Sequence, residues 1–267
     1  MKITFCSLFS GSSGNAIYIG AGDTHLLVDA GLPGKTVSEA LSKIGVLPET
    51  LSAILVTHEH SDHVKGVGVL SRKYRIPVYA NERTWQAMEK HVGAIAPACR
   101  RVFESGETFY IGGVSILPYL TSHDAAESVG YRIDYGGHSV ATATDMGVFS
   151  KKTLQVLAGV DLLLLESNYD PDMLKENEHY SQRLKTRIQS RYGHLSNSAC
   201  AGAILELQKT GVRHIVLGHL SQENNSPELA LQTVCGILQE QGLCVGEDVC
   251  VGMAWRDRTG DRYEIGK

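Results

Sequence analysis

Three histidines and one aspartate lie within six consecutive positions, directly after a short apolar run. The segment "AILVTHEHSDH" spans residues 53–63 and places metal-binding side chains at His58, His60, Asp62 and His63. Imidazole nitrogens combined with carboxylate oxygens suit zinc, manganese or iron better than calcium or magnesium. A turn after a strand can direct alternate residues toward two centres. The spacing therefore predicts a metal site, and a polar surface loop is the competing interpretation.

Four apolar runs each end on a polar residue, which indicates where such a site lies in the fold. "AILVTH" ends at His58, "SVATATD" at Asp145, "DLLLLE" at Glu166 and "HIVLGH" at His219. In layered α/β proteins, sites gather at the carboxyl ends of strands, where loops converge on a rigid sheet. These four residues are therefore candidates for one shared site.

Strand-like and helix-like patterns alternate along the chain. Apolar and alternating runs predict strands over 2–8, 16–20, 24–28, 53–56, 77–80, 108–111, 114–119, 128–134, 139–144, 161–165 and 214–217. Helical spacing occurs over 34–45, 64–74 and 82–91, and helices are expected to dominate from Pro171 onward. Hairpin-rich segments followed by helices, twice over, indicate two sheets with helices outside them.

Composition favours a folded cytoplasmic protein. The 267 residues are 43% hydrophobic and 20% charged, which is enough apolar sequence for a sizeable core. No apolar run is long enough for a transmembrane helix, and the N-terminus lacks the apolar stretch of a signal peptide, so no membrane partner is expected. The 6 cysteines form no CxxC pair, which is typical of reduced thiols. With a net charge of −4, any polyanion site has to be local.

The pattern His-x-His-x-Asp-His resembles the signature of the metallo-β-lactamase fold. The other motifs of that family follow in order, with Asp29 in "LLVDAG", His123 in "YLTSHDA", Asp145 in "ATATDMG" and His219 in "VLGHLS". The resemblance covers nearly the whole chain and implies a single α/β domain over residues 1–267. It implies a four-layer αββα sandwich, in which two mixed β-sheets carry helices on both outer faces. Its two pseudo-repeated halves would account for the matched "AILVTH" and "HIVLGH" strand ends.

The resemblance also implies ligands for two divalent metal ions, with zinc, manganese and iron as the candidate metals. The first ion would be held by His58, His60 and His123, the second by Asp62, His63 and His219, and Asp145 would bridge them. Asp29 would orient the ligand loop from outside the metal shell. Ions about 3.5–4 Å apart activate water near neutral pH, and Asp62 would help to orient that water. Taken alone, His123 would be interpreted as a loop histidine and Asp145 as a turn carboxylate.

Two further residues indicate a phosphodiester substrate. His194 directly precedes a predicted helix capped by Ser196 or Asn197, and it would donate a proton to a leaving oxygen. Glu166 would orient that histidine. The pair is similar to the Glu-His relay of the phosphodiesterase branch of the fold, which includes tRNA 3′-processing ribonucleases. That branch's "HEAT" and "GHST" stretches read "LESN" and "GHLS" here, so a helix-capping histidine and a buried structural carboxylate are the alternatives.

A basic run upstream of His194 is a candidate contact for a phosphate backbone. Arg183, Lys185, Arg187 and Arg191 lie within nine residues. On one helix, residues 183 and 187 would share a face, as would 187 and 191, which makes Arg187 and Arg191 the phosphate candidates. A solvated helix face is the alternative interpretation.

Two other segments are candidates for phosphate contacts. The loop "FSGSSGN" offers donors at Ser10, Ser12, Ser13 and Asn15, and its glycines let backbone N–H groups approach an anion. The helix start at Ser196 and Asn197 would favour anions through its free N–H groups. A plain hairpin turn is the alternative for the first segment.

Five motifs together resemble the YycJ (WalJ) group of bacterial proteins: "FSGSSGN", "LLVDAG", "VTHEHSDH", "GHLSNSACA" and "VLGHLSQENN". Members are cytosolic nucleases implicated as 5′-to-3′ DNA exonucleases linked to mismatch repair. The resemblance implies a dinuclear-metal phosphodiesterase acting on single- or double-stranded DNA ends. The alternatives are hydrolysis of small phosphodiesters or other esters, ribonuclease activity on RNA, and a non-catalytic scaffold stabilised by metal. The sequence does not indicate an oligomeric state.

Overall fold

The N-terminal part of the chain forms six strands and four helices. The computed structural model describes residues 1–266. Its first elements are β1 (Lys2–Phe9), β2 (Ala16–Ala21), β3 (Thr24–Val28), α1 (Gly34–Lys43), β4 (Ala53–Leu55), α2 (Ser61–Val64), α3 (Val67–Tyr74), β5 (Val78–Ala80), α4 (Glu82–Val92) and β6 (Arg100–Val102).

The rest of the described chain repeats this succession of hairpins and then alternating helices and strands. Its elements are β7 (Phe109–Ile111), β8 (Val114–Leu120), β9 (Val129–Tyr135), β10 (His138–Ala143), α5 (Lys151–Leu157), β11 (Leu162–Glu166), α6 (Pro171–Glu176), α7 (Gln182–Ile188), α8 (Asn197–Gln208), β12 (His214–Gly218), α9 (Pro227–Glu240), β13 (Cys250–Met253) and β14 (Arg262–Gly266).

The strands form two seven-stranded sheets with the same internal arrangement. The first has the order β14-β1-β2-β3-β4-β5-β6 and the second the order β13-β12-β11-β10-β9-β8-β7. In the first sheet, pairing is antiparallel from β14 to β3 and parallel from β3 to β6. In the second, it is antiparallel from β7 to β10 and parallel from β10 to β13. Both sheets are therefore mixed, and β3 corresponds to β10.

This correspondence corrects one expectation from the sequence. Counting outward from β3 and β10, β4 corresponds to β11 and β5 to β12. The run "AILVTH" lies on β4 and "HIVLGH" lies on β12, so their likeness does not come from equivalent positions. The equivalent of the β4 end is instead the β11 end, which carries Glu166. Asp29 after β3 and Asp145 after β10 are the matching pair.

Strands that are apolar at every position are covered on both faces, by the other sheet on one side and by helices on the other. In β11, Leu162 and Leu164 pack into the core between the sheets, while Leu163 and Leu165 pack against helices. A strand covered on both faces reads as a continuous apolar run. The helices α1, α3 and α4 cover the outer face of the first sheet, and α5, α8 and α9 cover that of the second. The four-layer αββα class predicted from the motifs is confirmed.

The local structure differs from the sequence expectations at one helix and three strands. The helix predicted over 64–74 is divided into α2 and α3, because Gly66 turns inward to donate its N–H to the Ala30 carbonyl at 2.7 Å. The short edge strands β6, β13 and β14 went unrecognised, and two of them lie in the region expected to be helical apart from one strand. These strands are short and, apart from the buried Met253, half-buried or exposed, so their apolar alternation is weak.

No helix among the described residues has both the length and the apolar character needed to cross a membrane.

Candidate active site

The carboxyl ends of β4 and β8 bring together a cluster of imidazoles. His58 and His60 follow β4, and His123 follows β8. The Nε2 atom of His58 lies 3.1 Å from Nδ1 of His60, and the His123 ring centroid is 5.1 Å from each of theirs. One nitrogen from each ring lies within 4.8 Å of the others, which is a spacing that one cation can bridge. This trio is the first ligand set expected from the sequence.

A second cluster lies against the first. Nε2 of His63 lies 3.5 Å from the Asp62 carboxylate, and Nε2 of His219 lies 3.8 Å from it. Asp145 lies between the two clusters, because its oxygens are 3.4 Å from His63, 3.5 Å from His219 and 3.7 Å from His123. The structure therefore gathers all seven proposed ligands, and it places the proposed bridging carboxylate in the middle.

The backbone reaches this geometry through left-handed residues at strand ends. Asp29, Asp145 and His219 have φ values of 60°, 56° and 55°. Such values are uncommon outside glycine and cluster at functional sites. The only other described non-glycine residue with positive φ is Arg75. Asp29, Asp145 and His219 each follow a parallel strand directly or within one residue, and the turn swings their side chains toward the common edge.

A glycine allows the ligand loop to approach the first sheet. A Cβ atom at Gly31 would collide with the carbonyl group of Asp62. In its absence, the Asn15 N–H donates to that carbonyl at 2.8 Å and the Gly31 N–H donates to the Asn15 carbonyl at 2.8 Å. These bonds fix the turn that carries Asp62 and His63.

Asp29 contacts the His63 ring and Thr57. Its Oδ2 accepts from Nδ1 of His63 at 2.8 Å and from the Thr57 hydroxyl at 2.8 Å, and its Oδ1 accepts from the Thr57 N–H at 2.8 Å. A carboxylate on Nδ1 fixes the ring and keeps the lone pair on Nε2, where a metal would bind. Sequence analysis did not single out Thr57, although its position between β4 and His58 was a usable signal.

His219 is held by three residues, of which sequence analysis named Glu166 and Ser10 for other roles and did not name Asn168. Glu166 Oε1 lies 2.9 Å from Nδ1 of His219, so it supports this ring as Asp29 supports His63. The Ser10 hydroxyl accepts from the His219 N–H at 2.9 Å, and the Asn168 amide donates to the His219 carbonyl at 2.7 Å. No spacing in the sequence connects Ser10 with His219, because the contact spans the two sheets.

Nearby imidazoles favour the ionised form of three carboxylates of the site, Asp145, Glu166 and Asp62, whereas burial raises the pKa of Asp29. Burial raises the pKa of Asp145, but the imidazoles of His219 and His63 outweigh burial and lower it below its usual value. In the same way, His194 lowers the pKa of Glu166 against the effect of burial, and His63 and His219 lower the pKa of Asp62. All three pKa values are lowered because each acid faces more than one imidazole at short range.

The direction of the pKa shift of His58 and of His219 depends on whether the ring faces other imidazoles or carboxylates. Burial lowers the pKa of His58 well below its usual value, and its histidine neighbours lower it further, so its lone pairs are available to a cation. Burial also opposes protonation of His219, but Asp145, Asp62 and Glu166 outweigh it and raise the pKa of His219 to about 10. In a metal-free protein, protons on such rings balance the acids, and a cation that binds must displace them.

Two buried polar atoms show that the site fits a metal ion. Within residues 1–266, Asp145 Oδ2 and His219 Nε2 have no hydrogen-bond partner although both are buried. An unpartnered buried polar atom costs about 1–3 kcal/mol. Both atoms belong to the proposed ligand set, and a divalent cation between them would satisfy both. Their imidazole and carboxylate chemistry suits zinc, manganese or iron.

His194 and Glu166 form a pair beside these ligands. Nδ1 of His194 donates to Glu166 Oε1 at 2.7 Å, and the His194 ring centroid lies 5.1 Å from that of His123 and 5.4 Å from that of His219. Glu166 is fully buried, and its Oε2 accepts from the Met146 N–H at 2.9 Å. The carboxylate thus fixes the histidine at the edge of the site.

Several proposed phosphate contacts are not available to a substrate. Asn197 is fully buried, with its amide bonded to Asn225 and its carbonyl to Ser167, so this expectation was wrong. Asn15 is 1% exposed and its side chain bonds within its own loop and to His63 Nε2 at 3.1 Å. The hydroxyl of Ser196 caps α8 by accepting from the Ala199 N–H.

Ser12 and Ser13 are the members of the Gly/Ser loop that face solvent. Both are exposed and line a cavity shared with Asp62 and Lys65. Their contact with a phosphate stays a prediction.

The basic run does not form one helical stripe. The helix α7 ends at Ile188, so Arg191 lies beyond it and shares no helix face with Arg187. Arg187 forms a short ion pair with Asp124, next to His123, which compensates its charge. The Arg191 guanidinium lies 5.1 Å from the centroid of the Tyr192 ring. The sequence spacing was misleading because no signal marked the end of the helix.

We expect the Asp29→Asn substitution to weaken metal binding without unfolding the chain. Asparagine has the same size and tolerates positive φ, but its neutral amide cannot stabilise the His63 ring as a carboxylate does. Changes to such supporting residues typically lower metal affinity about 10–100-fold. Competition with a chromogenic chelator measures this affinity. The matched control is Asp23→Asn in the exposed β2–β3 turn, and an equal effect in both variants would contradict the assignment.

Comparisons with known proteins agree with this geometry. Residues 24–220 match the family model described as "Beta-lactamase superfamily domain". The chain is 41% identical to "Exodeoxyribonuclease YycJ" of Bacillus anthracis, over 92% of this chain and 93% of that protein. It is 44% identical to "Exodeoxyribonuclease WalJ" of Streptococcus pneumoniae serotype 2, over 90% of each.

The fold is also that of a solved protein of low sequence identity. The crystal structure of YhfI, a metallo-β-lactamase fold protein from Bacillus subtilis, matches with a TM-score of 0.76 at 18% identity, over 99% of this chain and 100% of that one. At that identity the likeness concerns the fold alone. From the family model and the relatives together, the chain belongs to the metallo-β-lactamase superfamily of hydrolases, in the family of the YycJ and WalJ proteins.

Proposed function

We propose that this chain is a dinuclear-metal phosphodiesterase that degrades DNA from the 5′ end and acts in DNA repair, including mismatch repair. The observation that carries the proposal is the Glu166–His194 pair, joined at 2.7 Å, beside the clustered metal ligands. It adds a proton donor for a leaving oxygen to a site suited to divalent cations. The relatives named exodeoxyribonuclease, at 41% and 44% identity, support DNA as the substrate. The repair role rests on the resemblance to that group.

Two metal ions per chain fit the ligand set. His58, His60 and His123 would hold one ion, and Asp62, His63 and His219 the other. Asp145 would bridge them, since its two oxygens face histidines of both sets. A bound pair of divalent ions would supply an activated water molecule and neutralise charge on the phosphate.

The protein's own residues would orient the reactants and move the proton. The Asp62 carboxylate is half-buried beside both ligand sets and would accept a hydrogen bond from the attacking water. Glu166 accepts the Nδ1–H of His194, which leaves Nε2 of that ring to protonate the departing oxygen. The buried Glu166 carboxylate balances the charge of the doubly protonated ring.

We also propose a cytoplasmic protein folded as a single domain over residues 1–267. The 6 cysteines are all free thiols, which is usual in a reducing compartment. The inner faces of the two sheets share one apolar core, so neither sheet forms a unit without the other.

Digestion of end-labelled nucleic acids tests the proposed function. Single- and double-stranded DNA and RNA, each with a 5′-phosphate, would be incubated with the protein in defined manganese, magnesium or zinc. We expect mononucleotides released from the 5′ end of DNA, and no product with a chelator present. Bis(p-nitrophenyl) phosphate would be assayed in parallel.

Each other outcome points to a named alternative. Turnover of the small diester without any nucleic acid would indicate a hydrolase of small esters. Degradation of RNA alone would indicate a ribonuclease. DNA binding by the metal-loaded protein without cleavage of any substrate would indicate a scaffold.

A further inference from the structure

A second concave site lies beside the metal centre and has no part in the chemistry described above. It is a cavity of about 330 Å³ between the start of α9 and the segment Trp255–Arg258. Its walls include Leu220, which follows the proposed ligand His219, and Gln222. A volume near 300 Å³ is at the lower end of small-ligand pockets.

One wall of this cavity is a flat cationic stack. The Arg258 guanidinium carbon lies 3.8 Å from the centroid of the Trp255 ring. Within residues 1–266, Arg258 and the neighbouring Arg256 form no salt bridge, although Glu228 and Asp257 line the same cavity. Guanidinium groups without a carboxylate partner keep their donors available to a ligand.

Other donors in the cavity are also without protein partners. In the described chain the Trp255 indole N–H and the Gln222 amide donate no hydrogen bond. The other tryptophan, Trp85, differs in this respect, because its indole N–H donates to the Arg101 carbonyl at 2.8 Å. An aromatic and guanidinium face surrounded by free amide and N–H groups is suited to a flat, polar heterocycle.

The charges of the cavity favour a base over a phosphate. The lining includes two arginines, Arg256 and Arg258, and two carboxylates, Glu228 and Asp257, so the cavity has no excess of positive charge although these groups form no ion pairs within the described chain. A phosphate subsite gains its affinity from such an excess. Nucleobases are bound mainly by stacking on aromatic rings or guanidinium planes, which does not require net charge.

The cavity wall is fixed to the metal centre by a short series of backbone contacts. The Ser10 N–H donates to the Trp255 carbonyl at 2.9 Å, and the Ser10 hydroxyl accepts from the His219 N–H at 2.9 Å. The Ala254 N–H donates to the Leu217 carbonyl at 2.8 Å. The stack therefore keeps a fixed position relative to His219.

We propose that this cavity holds an unpaired nucleobase of the substrate strand while the scissile diester lies at the metal centre. The proposal rests on the proposed nuclease function and narrows its substrate. A base can enter such a cavity only when it is not paired in a duplex. Single-stranded or frayed ends are therefore the preferred substrates, and blunt duplex ends are poorer ones.

Kinetics of an arginine variant test the proposal. Loss of a stacking surface weakens nucleic acid binding by about tenfold. We expect Arg258→Ala to raise KM for a single-stranded oligonucleotide about tenfold, with kcat changed by less than about twofold. Its preference for single-stranded over blunt duplex DNA should shrink in proportion, and turnover of bis(p-nitrophenyl) phosphate should not change. The matched control is Arg100→Ala, because Arg100 lies 5.0 Å from the Trp85 ring, in a stack away from the metal centre.

Tryptophan fluorescence gives a second readout that a merely structural role would not move. The chain contains 2 tryptophans, so Trp85→Phe leaves Trp255 as the only emitter and Trp255→Phe leaves Trp85. A nuclease-resistant phosphorothioate single strand, added to metal-loaded protein, should quench the first variant and not the second.

The failures of the two proposals are distinguishable. Wild-type protein that hydrolyses no nucleic acid would remove the nuclease function, and this site with it. Two results with active protein would overturn the nucleobase site alone. One is an equal KM for the single strand in Arg258→Ala and Arg100→Ala, and the other is Trp255 emission that does not change with saturating oligonucleotide. Equal KM values for single-stranded and blunt duplex DNA would overturn it as well.

Discussion

The Asp145→Asn protein should be folded and almost inactive. Asp145 lies between the two ligand clusters, with oxygens 3.4 Å from His63 and 3.7 Å from His123. Its amide replacement keeps the size of the side chain and tolerates the φ of 56°. It removes the negative charge that would hold both cations together. A loss of several kcal/mol in transition-state stabilisation corresponds to at least about 10³-fold in rate.

Activity and metal content should fall together in this variant. Elemental analysis of the purified protein measures bound metal, and oligonucleotide hydrolysis measures the rate. Asp161→Asn is the matched control. Asp161 accepts a hydrogen bond from the Ser139 N–H where β10 and β11 begin, at the opposite end of these strands from the proposed metal site. Normal hydrolysis by metal-verified Asp145→Asn protein would contradict the bridging role.

The second large effect is expected from His194→Ala, and it should depend on the leaving group. A positioned acid contributes about 10²–10⁴-fold where the leaving oxygen needs a proton. The alkoxide leaving group of a nucleic acid needs one, so hydrolysis of oligonucleotides should fall by that factor. The p-nitrophenolate ion leaves without protonation, so bis(p-nitrophenyl) phosphate should be hydrolysed at nearly the wild-type rate.

The ratio of the two losses is the decisive quantity. Equal losses on both substrates would indicate that His194 supports the metal site and not the leaving group. His138→Ala is the control, because His138 begins β10 and its ring faces Asp161 at 3.4 Å, away from the proposed ligands. Glu166→Gln would be less informative, since Glu166 contacts both His194 and His219.

Much of the fold and of the ligand set could be predicted from local sequence. The apolar run over 161–165 predicted a strand, and in the structure this strand is covered on both faces, where a layered sheet needs apolar side chains on both sides. His58, His60, Asp62 and His63 predicted a metal site because donors with these ligand preferences share one turn. His123 was identifiable only through the ordered motifs of the fold, since alone it is an ordinary loop residue, whereas Asp145 was also marked by its place at the end of an apolar run.

The tertiary structure decided which polar residues are available for chemistry. Asn197 and Asn15 have the same chemistry as substrate-binding residues, but packing directs their amides into internal hydrogen bonds. The turn that ends α7 separated Arg191 from Arg187, and Asp124, distant in sequence, paired with the latter.

The sequence alone determined the types and order of the site residues and the apolar strands that carry them to one sheet edge. These features depend only on adjacent residues and on the periodicity of apolar residues along the chain. Only the folded chain decided that Ser10 holds His219, that Glu166 contacts two histidines and that Trp255 lies beside the metal centre. Such contacts join residues far apart in sequence, and their energies depend on distances that exist only once both sheets have packed.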